Sequence, residues 1–594
     1  MKQLKLDASE KVVKDLIAEV RHCVELCQVD SDKSGTVEWS EFLDIVAHVK
    51  SGKKDSASGF ATVYTKQKEL IKVEGAVGQR FFAQEEMDAF SSHLNNCLAG
   101  DDDVKHLMPI GSGIDLCKKV RDGLLLSKFI NCAVADTIDV RALNRPKSGK
   151  PLSVFQIQEN QTLCIKAATS IGVHTVNIGA SELMEGEKFI HIVLGLVWQL
   201  VKIQLLNAIN LKNHPELIRL LEPGETLEDL LKLPPDMLLL RWFNYHLKNA
   251  GYAKKVTNFS GDVKDSEAYT VLLHQLAPNT CDTAALKESD QATRAGMVLG
   301  NAKKLEVDVV IKANDIVKGN PRLNLAFTAA IFNQCPGLDP VSEEEIKKVG
   351  LMDDDSGDSR EERAFRMWIN SLGIDGVYVN NLFDDCRDGL VLLRVMDKIQ
   401  PGIVAWKQVE MQPNNKFKKI ANCNYVVVLG KQLKFSLVGI GGSDITDGNK
   451  KLLLALVWQL MRFHTLKFLA EVILLSANPK RFGGKDVTDE MIIHWANDTV
   501  KAGGKSSHMK SFKDSELRTG VFFLDLLWGI ESRIIDAEYV TDGQSDENAL
   551  LNAKYAISVA RKLGATIFLL PEDIVEVKPK MILTFVASIM SLAK

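Results

Sequence analysis

Two stretches of this chain nearly repeat each other, and that repeat restricts the possible folds more than any other feature. Residues 176–200 read VNIGASELMEGEKFIHIVLGLVWQL and residues 438–460 read VGIGGSDITDGNKKLLLALVWQL. The run Leu196-Val197-Trp198-Gln199-Leu200 returns at Leu456-Val457-Trp458-Gln459-Leu460, an offset of 260. Val176 and Val438 are offset by 262. Asp315-Ile316-Val317, followed by Pro321-Arg322, returns as Asp573-Ile574-Val575, followed by Pro579-Lys580, an offset of 258. A unit of about 260 residues therefore occurs twice, and such internal similarity has to be settled before any other reading of the fold.

Each long unit is itself double. Trp242-Phe243-Asn244, Trp368-Ile369-Asn370 and Trp495-Ala496-Asn497 share Trp-x-Asn on a helical pattern, and His93-Leu94-Asn95 is a weaker copy with His93 in the tryptophan place. Roughly 20 residues after each comes an acidic or glycine turn before an apolar run: Asp122-Gly123-Leu124, Asp265-Ser266, Asp388-Gly389-Leu390, and Gly520 before VFFLDLLWGI. The order is A-B-A-B, four modules of about 110 residues. Apolar-periodic runs ending at Gly172 and Gly564 read as helices closed by glycine. FIHIVLGLVWQLVKIQLL is apolar on nearly every side, as a central buried helix would be. Strand alternation bounded by hairpin turns is scarce. The fold class expected is all-α. Linkers are expected near 206–232, 336–358 and 466–486, the middle one being the most polar.

Charge excludes little but weighs against some partners. The 594 residues carry 73 basic and 77 acidic side chains, a net charge of −4, which makes no electrostatic case for nucleic acid or a membrane surface. The ten cysteines are scattered, as expected of buried thiols in a reducing compartment. The opening MKQLKLDASEKVVKD lacks the apolar core of a signal peptide. No stretch reads as the ~18–20 apolar residues of a membrane span. The chain reads as cytosolic and soluble.

Residues 30–41, DSDKSGTVEWSE, fit the twelve-residue EF-hand calcium loop. Asp30, Asp32 and Ser34 take the first, third and fifth ligand positions. Gly35 takes the sixth, where the chain turns sharply. Thr36 offers its backbone carbonyl at the seventh, and Glu38 stands at the ninth, able to act directly or through water. Glu41 supplies the bidentate carboxylate at the twelfth. VVKDLIAEVRHCVELCQV and FLDIVAHV flank the loop as helical patterns. The cofactor expected is Ca2+; an acidic solvated turn of the same shape is the alternative. No second loop is found, because Asp353-Asp354-Asp355-Ser356-Gly357 puts Met352 at the first position.

Catalytic motifs fail on inspection. Gly503-Gly504-Lys505-Ser506 needs a glycine where Thr499 stands to make a phosphate loop. Gly439-Ile440-Gly441-Gly442 lies in no βαβ unit. The twelve histidines make no H-E-x-x-H pattern. His93 reads as a packed helix residue and the repeated tryptophans as core. No enzyme is expected.

The tryptophan-anchored first helix, the Asp-Gly turn and the long IVLGLVWQL helix resemble the calponin-homology domain, a compact helical bundle. Four of them in two tandem pairs behind an EF-hand headpiece resemble the fimbrin/plastin family of actin-bundling proteins, as do NCNYVVVLGKQLKFSLVGIGG (422–442) and PEDIVEVKPKM (571–581). The resemblance runs from about residue 15 to 594 and implies a headpiece at 1–75 and modules at 83–205, 232–336, 358–466 and 486–594. It implies that each pair binds an actin filament, so that one monomeric chain bridges two filaments in the actin cytoskeleton of the cytoplasm, and that calcium inhibits bundling. It places actin contacts on about 85–98, 187–204 and 236–249, with Lys202 and Lys248 as candidates; an ordinary solvated face accounts for these lysines equally well. Members of the family with a full headpiece carry two EF-hands, where this chain shows one. A calponin-homology scaffold for other cytoskeletal partners is the alternative.

Overall fold

The computed structural model describes residues 70–72 and 81–592, apart from short segments at 147–149, 212, 226, 228–229, 231–232, 309–310, 343, 346–355 and 476–486. The expected EF-hand loop, residues 30–41, lies outside the described residues. The described chain is helical as expected, with one small addition: Leu70–Lys72 (β1) pairs antiparallel with Phe81–Ala83 (β2), immediately before the first module.

Each module repeats a set of four principal helices. They are α1 Gln84–Cys97, α2 Leu124–Ala133, α3 Val154–Ser170 and α4 Ile190–Leu206 in the first module, and α5 Pro235–Asn249, α6 Glu267–Leu276, α7 Gln291–Lys304 and α8 Pro321–Gln334 in the second. The third holds α9 Ser356–Ser371, α10 Leu390–Ile399, α11 Lys416–Gln432 and α12 Lys450–Leu475. The fourth holds α13 Asp489–Ala502, α14 Val521–Ile530, α15 Asp546–Leu563 and α16 Pro579–Met590. Local chemistry sets their ends. Ser153 and Gln156 form a capping box on α3, Asn415, Thr488 and Ser545 cap α11, α13 and α15, and Gly564 at φ +111° closes α15.

The repeat landmarks have a structural reason. Trp242, Trp368 and Trp495 are all buried. The asparagine two residues on clamps a loop backbone through both its N–H and its C=O. Asn244 does this to Val256 (2.7 and 2.9 Å), Asn370 to Val379 (3.0 and 2.8 Å) and Asn497 to Met509 (2.9 and 2.9 Å). Asn95 does the same to Ile110 (2.9 and 2.7 Å), so the weaker copy keeps the clamp. Only a primary amide presents a donor and an acceptor side by side on so short a stem.

The turns before α2, α10 and α14 are held from the other side. Gly123, Gly389 and Gly520 are left-handed (φ +80°, +78° and +74°), and Asn160, Asn422 and Asn552 pack directly on them. Each of these buried asparagines donates to the carbonyl just before its glycine (Asp122, Asp388, Thr519) and to a loop carbonyl (Asn144, Glu410, Thr541). In the second module Ser266 takes the left-handed place (φ +61°), and Arg294 donates to the matching carbonyls of Asp265 and Glu288.

Pairing within each half joins the last helices of its two modules: α4 packs on α8, and α12 on α16. The halves also pack on each other. Helix α3 of the first module lies along α15 of the fourth and touches α9 of the third, so the first module contacts all three others. Lys562, 5% exposed, donates to Ala142 O (2.8 Å) and Asn144 Oδ1 (2.9 Å). Arg561, equally buried, donates to Thr137 O (2.7 Å), and the Asp139 N–H donates to Ser558 Oγ (2.8 Å). Burial pulls the Lys562 ammonium down to about 8, opposed by Glu159, whose carboxylate is 3.8 Å away. Hydrogen bonds to backbone carbonyls of the first module offset part of the cost of burying these two cations.

Two sequence readings need correction. Helix α12 continues to Leu475, into the stretch read as a linker from 466. Within it, Lys450–Val472 is long and apolar enough to cross a membrane by length and composition (mean hydropathy 1.3), although no such stretch was expected. It is the counterpart of α4: it packs on α9 and α16, Arg462 pairs with Asp489 (2.6 Å), and Lys467 donates to Ile399 O (3.0 Å). The length comes from fusing the core helix of the third module to an extension beyond it.

Candidate functional site

The candidate surfaces are built on α1, α4 and α5. Helix α1 is fixed to α4 by Phe90, whose ring stacks on Trp198 at 6.0 Å, and by His93, whose Nε2 lies 2.8 Å from Gln204 Oε1. His93 is buried and meets Phe129 edge-on, so it packs as expected. It also preserves a polar link from the tryptophan position: Trp368 Nε1 donates to His464 Nδ1 on α12 (3.3 Å), and Trp242 Nε1 to Pro336 O (2.6 Å). Cys97 Sγ lies 3.5 Å from His93 Nε2, and Gln204 Nε2 donates to it at 3.3 Å. Burial raises the thiol's pKa, but these hydrogen bonds outweigh it and leave the pKa lowered.

The two candidate lysines differ in setting. Lys202 on α4 lies 3.6 Å from Asp236 in the first turn of α5, so it ties the two modules of the first half together; 43% of its side chain remains exposed. Lys248 is exposed near the end of α5. The residues expected to bind calcium, Asp30, Asp32, Ser34, Thr36, Glu38 and Glu41, lie outside the described residues. Among the described residues no group of three or more His, Cys, Asp or Glu side chains could hold a metal ion.

A further feature escaped the sequence reading. Phe155 and Phe417, offset by 262, sit at the starts of α3 and α11 and are 73% and 86% exposed. Val176 and Val438, with the same offset, are 67% and 86% exposed. Both leading modules thus present the same large apolar side chains to solvent. A single exposed apolar residue is ordinary; here the same two positions are exposed in both copies of the unit, although Val176 also borders a cleft lined by Trp368 and Phe468 of the other half. The offset already aligned these residues; their exposure could not be read without the fold.

Comparison with known proteins agrees with this architecture. The calponin homology (CH) domain model matches residues 84–205, 233–337, 359–465 and 486–594. The chain is 44% identical to fimbrin of Schizosaccharomyces pombe, over 99% of this chain and 93% of that protein. It is 43% identical to Plastin-3 of Danio rerio, over 94% of this chain and 89% of that protein. The crystal structure of the actin-crosslinking core of Schizosaccharomyces pombe fimbrin superposes with a TM-score of 0.72 at 44% identity, covering 86% of this chain and all of that one. With four calponin-homology modules in two pairs and near-complete overlap with these relatives, the chain belongs to the fimbrin/plastin family.

Proposed function

We propose that this chain cross-links actin filaments into bundles, each tandem pair gripping one filament, and that it works in the actin cytoskeleton of the cytoplasm. It acts by binding, not catalysis. The observation that carries the reading is the presence, in one chain, of two complete module pairs whose leading members expose the same Phe and Val positions. Once one pair is bound, the other is held near a neighbouring filament at high effective concentration, so bridging needs no dimer. Packing of α3 on α15 shortens the span between the grips and favours closely spaced bundles.

The binding units are 83–336 and 358–594, composed of modules 83–205, 232–336, 358–466 and 486–594. Lys202, Lys248 and the exposed Phe155 and Phe417 are the side chains proposed to meet actin. High-speed co-sedimentation is expected to pellet each isolated half with actin, while low-speed sedimentation pellets bundles only with the full chain. Bundling by either half as a monomer overturns the two-grip reading. Failure of both halves and the full chain to pellet with actin transfers the modules to another cytoskeletal partner.

The headpiece, 1–75, is proposed to bind Ca2+ through Asp30, Asp32, Ser34, the Thr36 carbonyl and Glu41, with Glu38 direct or through water, and to reduce bundling when loaded. The support is the spacing of these donors. Bundling compared in calcium and in chelator, with Glu41→Gln alongside, tests it. Equal bundling in every condition removes the switch.

A further inference from the structure

Where the first, third and fourth modules meet, their side chains enclose a cavity of about 40 Å3, larger than the roughly 10–15 Å3 that one water needs. Three cationic side chains line it: Arg363 from α9, and Lys554 and Arg561 from α15. Asp136 is the one acidic residue of the lining, and it pairs with Lys554 at 2.9 Å, with 77% of its own side chain exposed. That pair marks the mouth.

The interior is deficient in negative charge. Arg561 is 5% exposed; its two terminal nitrogens donate to the carbonyls of Thr137 (2.7 Å) and Ile567 (2.9 Å), and its buried Nε has no partner. Burial and, after it, the neighbouring Arg363 together lower its pKa to about 9, with no carboxylate acting in the opposite direction. Arg363 is itself lowered by burial and then by Arg366, against Asp573, Glu572 and Glu362. Among those three, Asp573 is pushed up to about 6 by its own burial, and Arg360 lies 3.7 Å from it. Arg363 therefore keeps carboxylates beside it, Asp573 being mostly ionised at neutral pH, and the uncompensated cation is Arg561, whose burial costs several kcal/mol in general unless a counter-ion joins it.

We propose that this junction is a binding site for a tetrahedral phosphate-class oxyanion, held by Arg561 and Arg363 inside and Lys554 at the mouth. A guanidinium fork matches two oxygens of a phosphate, and three cations around one dianion satisfy both its charge and its acceptors. The cavity is small and lies between modules rather than on an open face, so the ligand is free phosphate rather than the headgroup of a membrane lipid. Because the site takes residues from both halves, occupancy holds α3, α9 and α15 together, and phosphate regulates how readily the halves separate. This assignment does not depend on the actin reading.

Equilibrium dialysis of the full chain against radiolabelled inorganic phosphate, at fixed ionic strength in chloride, tests it. The expected result is saturable uptake of one phosphate per chain at millimolar concentration. Arg363→Met and Lys554→Met are each expected to weaken uptake at least about tenfold, while Lys118→Met, which removes an exposed cation elsewhere, leaves it unchanged. Arg561→Met is expected to abolish uptake; because it also cuts contacts between the halves, Arg363→Met and Lys554→Met decide the matter. No saturable uptake, wild-type uptake in both of those variants, or equal weakening by Lys118→Met overturns the proposal. So does flotation with phosphatidylinositol 4,5-bisphosphate vesicles that depends on Arg363 in the absence of free phosphate uptake.

Discussion

The second and fourth modules occupy the same place in their halves, yet they hold the same turn by different means. In the fourth module Gly520 is left-handed, and Asn552 packs so closely that a Cβ on Gly520 would lie 2.8 Å from the Asn552 Cβ. In the second module Arg294 reaches the matching carbonyls with a longer side chain, and the left-handed position carries Ser266. A short asparagine brings its own helix backbone against the turn and so demands glycine; a long arginine works from a distance and tolerates a side chain. The glycine in the fourth module therefore records a close approach as much as a backbone angle.

The strongest way to break this comparison is to make the fourth module resemble the second. Gly520→Ser places a Cβ both in the left-handed region and against Asn552, and is expected to destabilise the full chain by about 3 kcal/mol, read as a fall in the unfolding midpoint in urea. A cost below about 1 kcal/mol would mean that α15 yields easily, and close approach would no longer explain the glycine.

The interfaces inside the two halves make a second comparison. In the first, Glu85 on α1 pairs with Lys318; at the matching positions of the second, Arg360 on α9 pairs with Glu576. The polarity is inverted. The neighbouring pair is not: Glu86 with Arg322 (3.2 Å) corresponds to Glu361 with Lys580 (3.6 Å). The duplicated halves share a docking geometry while one charge pair has changed sign, so each leading module is matched to its own partner. Glu85→Arg sets like charges together and is expected to cost about 2 kcal/mol, with Glu85→Arg/Lys318→Glu, the polarity of the second half, recovering most of it. A double-mutant cycle with no coupling would show that the inversion carries no specificity.

Proton uptake gives a smaller effect of defined sign. Burial raises the Asp573 carboxyl from 3.8 to about 6, with Arg360 opposing. A carboxyl raised on folding contributes its stability when protonated, fully below its unfolded pKa, and loses it as pH rises through the folded value. Between pH 5 and 7 the second half is therefore expected to lose about 1 kcal/mol through Asp573. Glu576, held down chiefly by its hydrogen bond from Arg360, has the opposite slope and loses stability only as the solution becomes more acid than its ordinary range. Thermal unfolding of wild type and Asp573→Asn at the two pH values measures this; an unchanged slope in the variant would assign the titration to another group.

These contrasts also show why some features were legible in the sequence and others were not. The duplication, the Trp-x-Asn positions and the turns lie within short windows, so residue spacing found them. The role of Asn95 or Asn244 is a contact with a backbone 12 to 15 residues away, which spacing hints at but does not specify. Arg294, Arg561 and Lys562 look like solvated charges in a sequence, because nothing local says that another module or a buried carbonyl will cover them. Helix α12 exceeded its expected length because no glycine or proline stops it between Leu466 and Leu475, and the apolar run simply continues.

Ser266 offers the mildest perturbation and the finest test. Its left-handed backbone is unfavourable for a residue with a Cβ, and its buried hydroxyl oxygen has no partner. Ser266→Gly relieves both, at the cost of a more flexible unfolded chain, so a net stabilisation of about 0.5 kcal/mol is expected in urea unfolding of the full chain. Arg294 continues to hold the Asp265 and Glu288 carbonyls in that variant, so the gain should survive whether or not the turn tightens. A loss of stability would show that the second module has adapted to serine, and that its arginine and its serine changed together.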